Sequence, residues 1–148
     1  MIVDAMSGHH AHIDLDAVVD DFPVELRGAK PSGVPHTAWE LLEHMRIAQW
    51  DILEFSRNPR HKSPKWPDEY WVTETAPKDE DEWKKSLKQI DDDRKEFIKL
   101  LETGDIYKAI PHGDGQNILL EALQIADHNA YHTAEIIVIR RLLDAWKP

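Results

Sequence analysis

The sequence has no cysteine in 148 residues. Because the chain has no thiol of its own, any thiol that takes part in its chemistry has to arrive as a cosubstrate. The absence is compatible with any cellular compartment, so it decides nothing about disulfide-forming surroundings.

Long apolar runs are missing as well. No uninterrupted stretch approaches the ~18 to 20 residues that span a bilayer. Residues 1–12 lack the basic start and the long apolar segment of a secretory signal. We therefore expect a cytoplasmic protein that does not insert into membranes.

Basic residues are scarce. Eighteen Lys and Arg face 28 Asp and Glu, which gives a net charge of -10, and no Lys/Arg stripe stands out. Binding to a phosphate backbone needs such a stripe. Nucleic acid is thus not expected as a partner.

Length and composition suit one folded domain. A chain of 148 residues with 41% hydrophobic and 31% charged residues can bury a self-supporting core. We predict a single domain over residues 1–148, with residues 1–12 flexible. Three histidines in that segment, His9, His10 and His12, could bind a metal, but a flexible terminus is the expected interpretation.

The chain is predicted to be all α-helical, as four helices separated by proline-rich loops. The first helix is expected from about Asp14 to Asp21, before Pro23. The second opens at Thr37, which forms a capping box with Glu40. The third begins near Asp79 and ends at Gly104, and the fourth runs from Asn117 to about Trp146. A long irregular crossover, residues 58–77, joins the second helix to the third.

Three histidines fall on the inner faces of two of these helices. His128 and His132 are four residues apart, so their rings stack along one side of the last helix. His44 lies at the edge of the apolar stripe of the second helix. If the three meet, they form a three-coordinate site for a divalent ion with one position left open.

Two better-known metal sites do not fit this pattern. A zinc protease helix requires a glutamate after its first histidine, and Asn129 stands there. A carboxylate-bridged di-iron bundle requires a glutamate three residues before each histidine. Ile125 and Asn129 occupy those places, so both classes are disfavoured.

Residues near the histidine pair could assist it. Glu135 could accept a hydrogen bond from a ligand imidazole or act as a general base for bound water; alternatively it is a surface carboxylate. Tyr131 could direct its hydroxyl at a ligand or substrate, with core packing as the expected role. The neighbouring acidic and polar residues are expected to be solvated on the helix surfaces: Glu121, Gln124 and Asp51. The remaining histidines are expected to be exposed in loops: His36, His61 and His112.

Two segments carry a family resemblance. Residues 39–44 (Trp-Glu-Leu-Leu-Glu-His) and residues 127–132 (Asp-His-Asn-Ala-Tyr-His) resemble the DinB-like superfamily of YfiT-like metal-binding bundles. The likeness extends over nearly the whole chain in helix order and loop placement. It implies a four-helix bundle, often dimeric, whose three histidines bind one divalent ion such as zinc or nickel, here through His44, His128 and His132.

The resemblance leaves the reaction open. Some members transfer low-molecular-weight thiols, others are metal-dependent hydrolases, and many have no known activity. This chain departs from the pattern in its crossover and its N-terminal stretch, where substrate choice is expected to reside. Three neutral imidazoles would leave the ion its full charge, so that a bound water or thiol would ionise near neutral pH.

Two functions of different classes follow. The first is a metal-dependent enzyme, a hydrolase or a thiol transferase acting on a small molecule. The second is a non-catalytic helical-bundle binding or stress-response protein whose metal is structural or incidental. Retention of the fold after chelation would favour the first.

A second apolar face on the second helix suggests a partner. Trp39 and Trp50 lie on it, away from His44. We predict a homodimer interface centred on these two tryptophans, because tryptophan is favoured at interface cores. The alternative is that the crossover, with Trp66 and Trp71, folds back over this face.

Overall fold

Helices make up the regular structure of the chain. The computed structural model describes residues 1–7 and 12–146. In chain order its α-helices are α1 (Ile2–Ser7), α2 (Leu15–Val19), α3 (Ala38–Arg57), α4 (Glu80–Thr103) and α5 (Ile118–Leu142). Two short 3-10 turns, Val24–Leu26 and Asp68–Tyr70, lie in the loops. The described residues contain no strand, only an isolated bridge between Ala109 and Asn117. The all-α prediction is confirmed.

The three long helices begin where their capping residues predict. The Thr37 hydroxyl accepts from Glu40 N, and the Glu40 carboxylate accepts from Thr37 N, which completes a capping box. At the start of α4 the Asp79 side chain accepts from Glu82 N, and at the start of α5 the Asn117 side chain accepts from Leu120 N. These side chains satisfy backbone N–H groups that have no partner within the helix. The last helix ends at Leu142, four residues before the expected end.

The first predicted helix is replaced by two short ones. The segment expected from Asp14 to Asp21 forms only the five-residue α2, because Asp21 adopts a positive φ of 51° and Pro23 follows. Ahead of it, Ile2–Ser7 forms α1, which buries Met6 against α4 and α5. This helix lies within the segment expected to be flexible, and the flexibility of residues 1–12 stays a prediction. Residues 8–11 lie outside the described part of the chain.

Two apolar clusters form the core. The first joins the start of α3 to the start of α4 and the end of α5, and includes Trp39, Leu42, Trp83 and Ile136. The second joins the other ends of these helices with α1, through Leu53, Phe97 and Ile125 among others.

A polar layer lies between the clusters. The Gln49 amide donates to Ile90 O at 2.7 Å and accepts from the Asn129 amide at 2.8 Å, which links α3, α4 and α5. Such buried amides require partners because their desolvation is costly.

The predicted interface face is covered within the chain. Trp39 is only 3% exposed, and its ring packs against that of Trp83 on α4, with centroids 6.2 Å apart. Leu42 and Leu53 are fully buried. The amphipathic α4 covers the Trp39 end of this face, so an interface centred on Trp39 is wrong. Trp50, at the other end, is 36% exposed, and its ring lies edge-on to that of His61 in the crossover, with centroids 5.2 Å apart. The crossover therefore meets the Trp50 end of the face. Whether the protein is a homodimer stays a prediction.

No helix in the described part of the chain has both the length and the apolar content that crossing a membrane requires.

Candidate metal centre

The three predicted histidines come together between α3 and α5. One ring nitrogen from each of His44, His128 and His132 lies within 4.8 Å of the others. His44 and His132 are buried, and His128 is half-buried. The pair on α5 lies one helical turn apart, as its spacing predicts. The structure thus assembles from two helices the cluster of imidazoles that the sequence indicates.

The tautomer of His44 follows from its hydrogen bond. Its Nδ1 lies 2.9 Å from the Tyr70 carbonyl oxygen, which can only accept. Nδ1 therefore carries the proton, and Nε2 keeps its lone pair. That Nε2 is 3.0 Å from the Nε2 of His128, so the lone pair of His44 points into the cluster.

His132 is oriented in the same way by Glu135. Its Nδ1 lies 2.6 Å from the Glu135 Oε2 atom. The carboxylate oxygen accepts and Nδ1 donates, so in a neutral imidazole the lone pair lies on Nε2 of His132. Glu135 therefore accepts a hydrogen bond from the imidazole of a candidate ligand, which is the geometry of one of the roles predicted for it.

The donor set fits a divalent ion. Imidazole nitrogens suit zinc, copper, iron and nickel, and metal-binding histidines usually donate their second N–H to a carbonyl or carboxylate. His44 and His132 both do so. The facing Nε2 atoms of His44 and His128 need a proton or a cation between them, because two lone pairs at 3.0 Å repel.

Burial keeps two of these histidines neutral. It lowers the pKa of His128 to about 4, with the neighbouring His132 and His44 adding to the effect. Burial also lowers the pKa of His44, although the bond to the Tyr70 carbonyl opposes this. Both imidazoles are therefore uncharged at neutral pH, and each keeps one nitrogen lone pair that can bind a metal ion.

The crossover covers the outer face of His44. Trp71 stacks on the His44 ring with centroids 3.9 Å apart and planes 1° from parallel. His36 also stacks on Trp71 at 3.9 Å. Two imidazoles on one face of the indole would overlap, so they lie on opposite faces. His36 is half-buried in this stack, and the expectation that it is solvent-exposed is wrong.

Asp51 anchors the crossover to α3. Its Oδ1 lies 2.6 Å from His61 Nε2, and its Oδ2 accepts from the Tyr70 hydroxyl at 2.6 Å. Burial and this bond raise the pKa of Tyr70. The same Tyr70 holds His44 through its carbonyl. Asp51 is therefore a buried structural group, not a solvated one, and His61 is not solvent-exposed.

Glu121 is the second buried carboxylate that the sequence placed in solvent. It is 4% exposed, and burial raises its pKa, with the charge of Asp51 contributing. Gln124 is exposed as expected and donates to Glu121 at 3.3 Å. His112 is also exposed as expected.

A cavity borders the centre behind His132. Its volume is about 380 Å³, and Tyr131, Glu135, Val138 and His36 are among the residues that line it. Tyr131 is 64% exposed, so the core role expected for it is wrong. Its ring contacts the His132 ring edge-on, with centroids 5.0 Å apart.

Of the N-terminal histidine cluster, His9 and His10 lie outside the described residues. His12 is exposed, and its Nδ1 bonds to the carbonyl of the next residue at 3.2 Å.

Sequence reasoning missed the crossover residues around the centre. Tyr70 acts through its main-chain carbonyl, and residue type gives no signal for that. For Trp71 the sequence showed only an aromatic residue in the crossover, which does not predict stacking on His44. Asp51, seven residues after His44 and so two turns along the same face, carried a usable signal.

Comparison with known proteins gives one positive result. The sequence model described as the DinB superfamily matches residues 9–136. No curated protein and no solved structure gives a significant match.

Proposed function

Because this chain belongs to the DinB superfamily, we propose that His44, His128 and His132 bind one divalent metal ion, zinc or nickel, in a catalytic centre. The observation that carries the proposal is the convergence of three imidazole nitrogens within 4.8 Å. With protons on His44 Nδ1 and His132 Nδ1, the Nε2 lone pairs of both residues are free to bind an ion.

The chemistry proposed is activation of a small nucleophile. A divalent ion held by three neutral imidazoles supplies, when bound, a Lewis acid that makes a water or a thiol nucleophilic near neutral pH. The protein is thus proposed to be a hydrolase or a thiol transferase. A thiol would be a low-molecular-weight cosubstrate, since the chain has no cysteine.

The surrounding residues have definite tasks. The Tyr70 carbonyl and the Glu135 carboxylate hold two imidazoles in one tautomer and orientation. Trp71 excludes water from one face of His44. Glu135 is half-buried at the wall of the adjacent cavity, where it can also receive a proton from a substrate. Tyr131 is proposed to contact the substrate in that cavity.

Metal content per chain tests the binding site. We expect about one equivalent in the wild-type protein after reconstitution and none in His128→Ala. His112→Ala is the matched control, because His112 is exposed and distant in sequence from the cluster. Wild-type protein that takes up no ion would refute the proposal, and so would equal loss in both variants.

Cobalt substitution separates the two reactions. If a thiol is activated, adding a low-molecular-weight thiol to the cobalt-loaded protein will produce a thiolate-to-cobalt charge-transfer band, and transfer to an electrophile will follow. If water is activated, ester or amide hydrolysis will proceed without that band. A loaded protein that performs neither reaction favours the non-catalytic alternative.

The non-catalytic alternative also makes a thermal prediction. A structural ion would be tied to folding, so chelation would lower the melting temperature sharply. Buried side chains of α3, α4 and α5 meet in two apolar clusters. Burial of this apolar surface stabilises the fold without an ion, so the catalytic proposal expects the ion to be removable while the fold is retained.

A further inference from the structure

The outward face of α5 carries exposed large apolar side chains along its whole length. Of the eleven large apolar side chains that are exposed among the described residues, five lie on this helix, each between 44% and 64% exposed: Leu120, Leu123, Tyr131, Val138 and Leu142. The opposite face lies in the core, where Ile125 and Ile136 are buried. A helix with exposed large apolar side chains opposite its core face has a second surface that a partner can cover.

These side chains form one continuous stripe. With 100° per residue, positions 120, 123, 127, 131, 134, 138 and 142 fall within about 60° of a common direction. The helix α4 contrasts with this, since its outer face is charged, with ion pairs such as Lys95 to Asp91 and Lys99 to Glu96. Exposed apolar stripes of this length mark protein contacts.

Only two charged residues interrupt the exposed face of α5, namely Asp127 and Arg141. Neither forms a side-chain hydrogen bond or an ion pair with the described residues. They have opposite signs and lie seven residues before and seven residues after Ala134. A two-fold axis at Ala134 therefore places Asp127 of one copy opposite Arg141 of the other, twice.

We propose that two copies of this chain pair through α5, antiparallel and centred on Ala134. The small side chain of Ala134 permits close approach of the two helices at the crossing point. In an isologous interface, residue i of one copy contacts residue j of the other, and residue j of the first contacts residue i of the second. The two ion pairs therefore fix the register, while the apolar stripe supplies the buried area.

The second copy would also complete the cavity beside the metal centre. Tyr131, Ala134 and Val138 belong to the stripe and line that 380 Å³ cavity. A partner helix lying over Ala134 forms its remaining wall. The cavity, which reaches the centre through Glu135, would then be shared between the copies. The pairing itself does not depend on the metal or on the proposed reaction.

A charge-swap cycle tests the register. Sedimentation velocity is measured on the wild type, Asp127→Arg, Arg141→Asp and the double variant, each metal-loaded and metal-stripped. We expect a wild-type dimer whose dissociation constant rises at least about tenfold in each single variant, because two like-charge contacts replace two attractive ones. The double variant restores opposite charges and should recover the dimer.

A second pair of variants tests the apolar stripe. Val138→Lys should dissociate the dimer, whereas Val24→Lys should not, because Val24 is exposed to a similar degree but lies far from α5 in sequence. Circular dichroism verifies that each variant is folded. A wild-type monomer would overturn the proposal. A dimer that tolerates both single swaps, or that responds alike to the two lysine variants, would overturn it as well.

The readout also separates this inference from the proposed function. Dimerisation of the metal-stripped protein supports the α5 interface whatever the metal assays give.

Discussion

The indole of Trp71 and the imidazole of His44 lie face to face, 3.9 Å apart and within 1° of parallel. Trp71 belongs to the crossover and His44 to α3, so a loop and a helix position one candidate ligand together. The crossover is therefore a wall of the centre as well as a connection between helices.

Replacing Glu135 should weaken metal binding without removing a ligand. In Glu135→Ala the Nδ1 proton of His132 loses its acceptor, and the dissociation constant for zinc should rise about 10- to 100-fold. Glu135→Gln retains an acceptor oxygen but no charge, so its dissociation constant for zinc should lie between those of the wild type and Glu135→Ala. Competition titration against a chromophoric chelator measures both, with the exposed Glu102→Ala as control. Unchanged affinity in Glu135→Ala would remove Glu135 from the centre.

Tyr70→Phe should destabilise the metal-free protein. The substitution removes the hydroxyl that donates to Asp51 Oδ2 and leaves a buried carboxylate oxygen without that bond. The free energy of unfolding should fall by about 1 to 3 kcal/mol. Urea denaturation measures it, and Tyr107→Phe is the matched control because Tyr107 is 73% exposed. Equal effects of the two changes would show that the Asp51 contact contributes nothing.

The metal-free protein should lose stability between pH 6.5 and pH 4 because of His128. The pKa of His128 is about 4 in the folded chain, against 6.5 for an ordinary histidine as in the unfolded chain. In this window the unfolded chain binds the proton and the folded chain does not, so the free energy of unfolding rises with pH. The contribution is about 3 kcal/mol, since one pKa unit corresponds to about 1.4 kcal/mol. Denaturation of wild type and His128→Gln at both ends of the window should show a shallower dependence in the variant; equal slopes would contradict the assignment.

Asp93→Asn should stabilise the protein at pH 7. Asp93 is 5% exposed, its Oδ2 has no hydrogen-bond partner among the described residues, and burial raises its pKa. A raised folded pKa means that this group favours folding at low pH and opposes it once ionised. The gain should be roughly 1 kcal/mol at pH 7 and should vanish near pH 3. Thermal unfolding with Asp92→Asn, which is half-buried and paired with Lys88, provides the comparison. A gain that persists at pH 3 would exclude the charge as its cause.

Local signals account for what the sequence predicted well. The caps at Thr37, Asp79 and Asn117 act within a single turn, so residue type and spacing suffice to place the helix starts. The pair His128 and His132 is likewise local. The sequence also placed His44 on an inward edge, because helix periodicity defines a face.

Periodicity defines a helix face but does not tell which other part of the chain packs against it. Periodicity showed that Trp39 lies on an apolar face, but α4 covers the Trp39 end of that face and leaves only Trp50 partly exposed. Asp51 looked like a solvated helix carboxylate because its partners His61 and Tyr70 lie ten and nineteen residues away, in the crossover. The apolar outer face of α5 went unnoticed because the histidines on its inner side dominated the pattern.

The span between His44 and His128 has a consequence for chain entropy. The two residues are separated by 84 positions, and closing a loop of that length in an unfolded chain costs about 4 kcal/mol. An unfolded chain can thus offer an ion the local pair on α5 but not the full set. In the folded chain, the packing of α3 against α5 has already closed this loop before an ion binds. Metal affinity should therefore report on the integrity of that packing, even for substitutions far from the histidines.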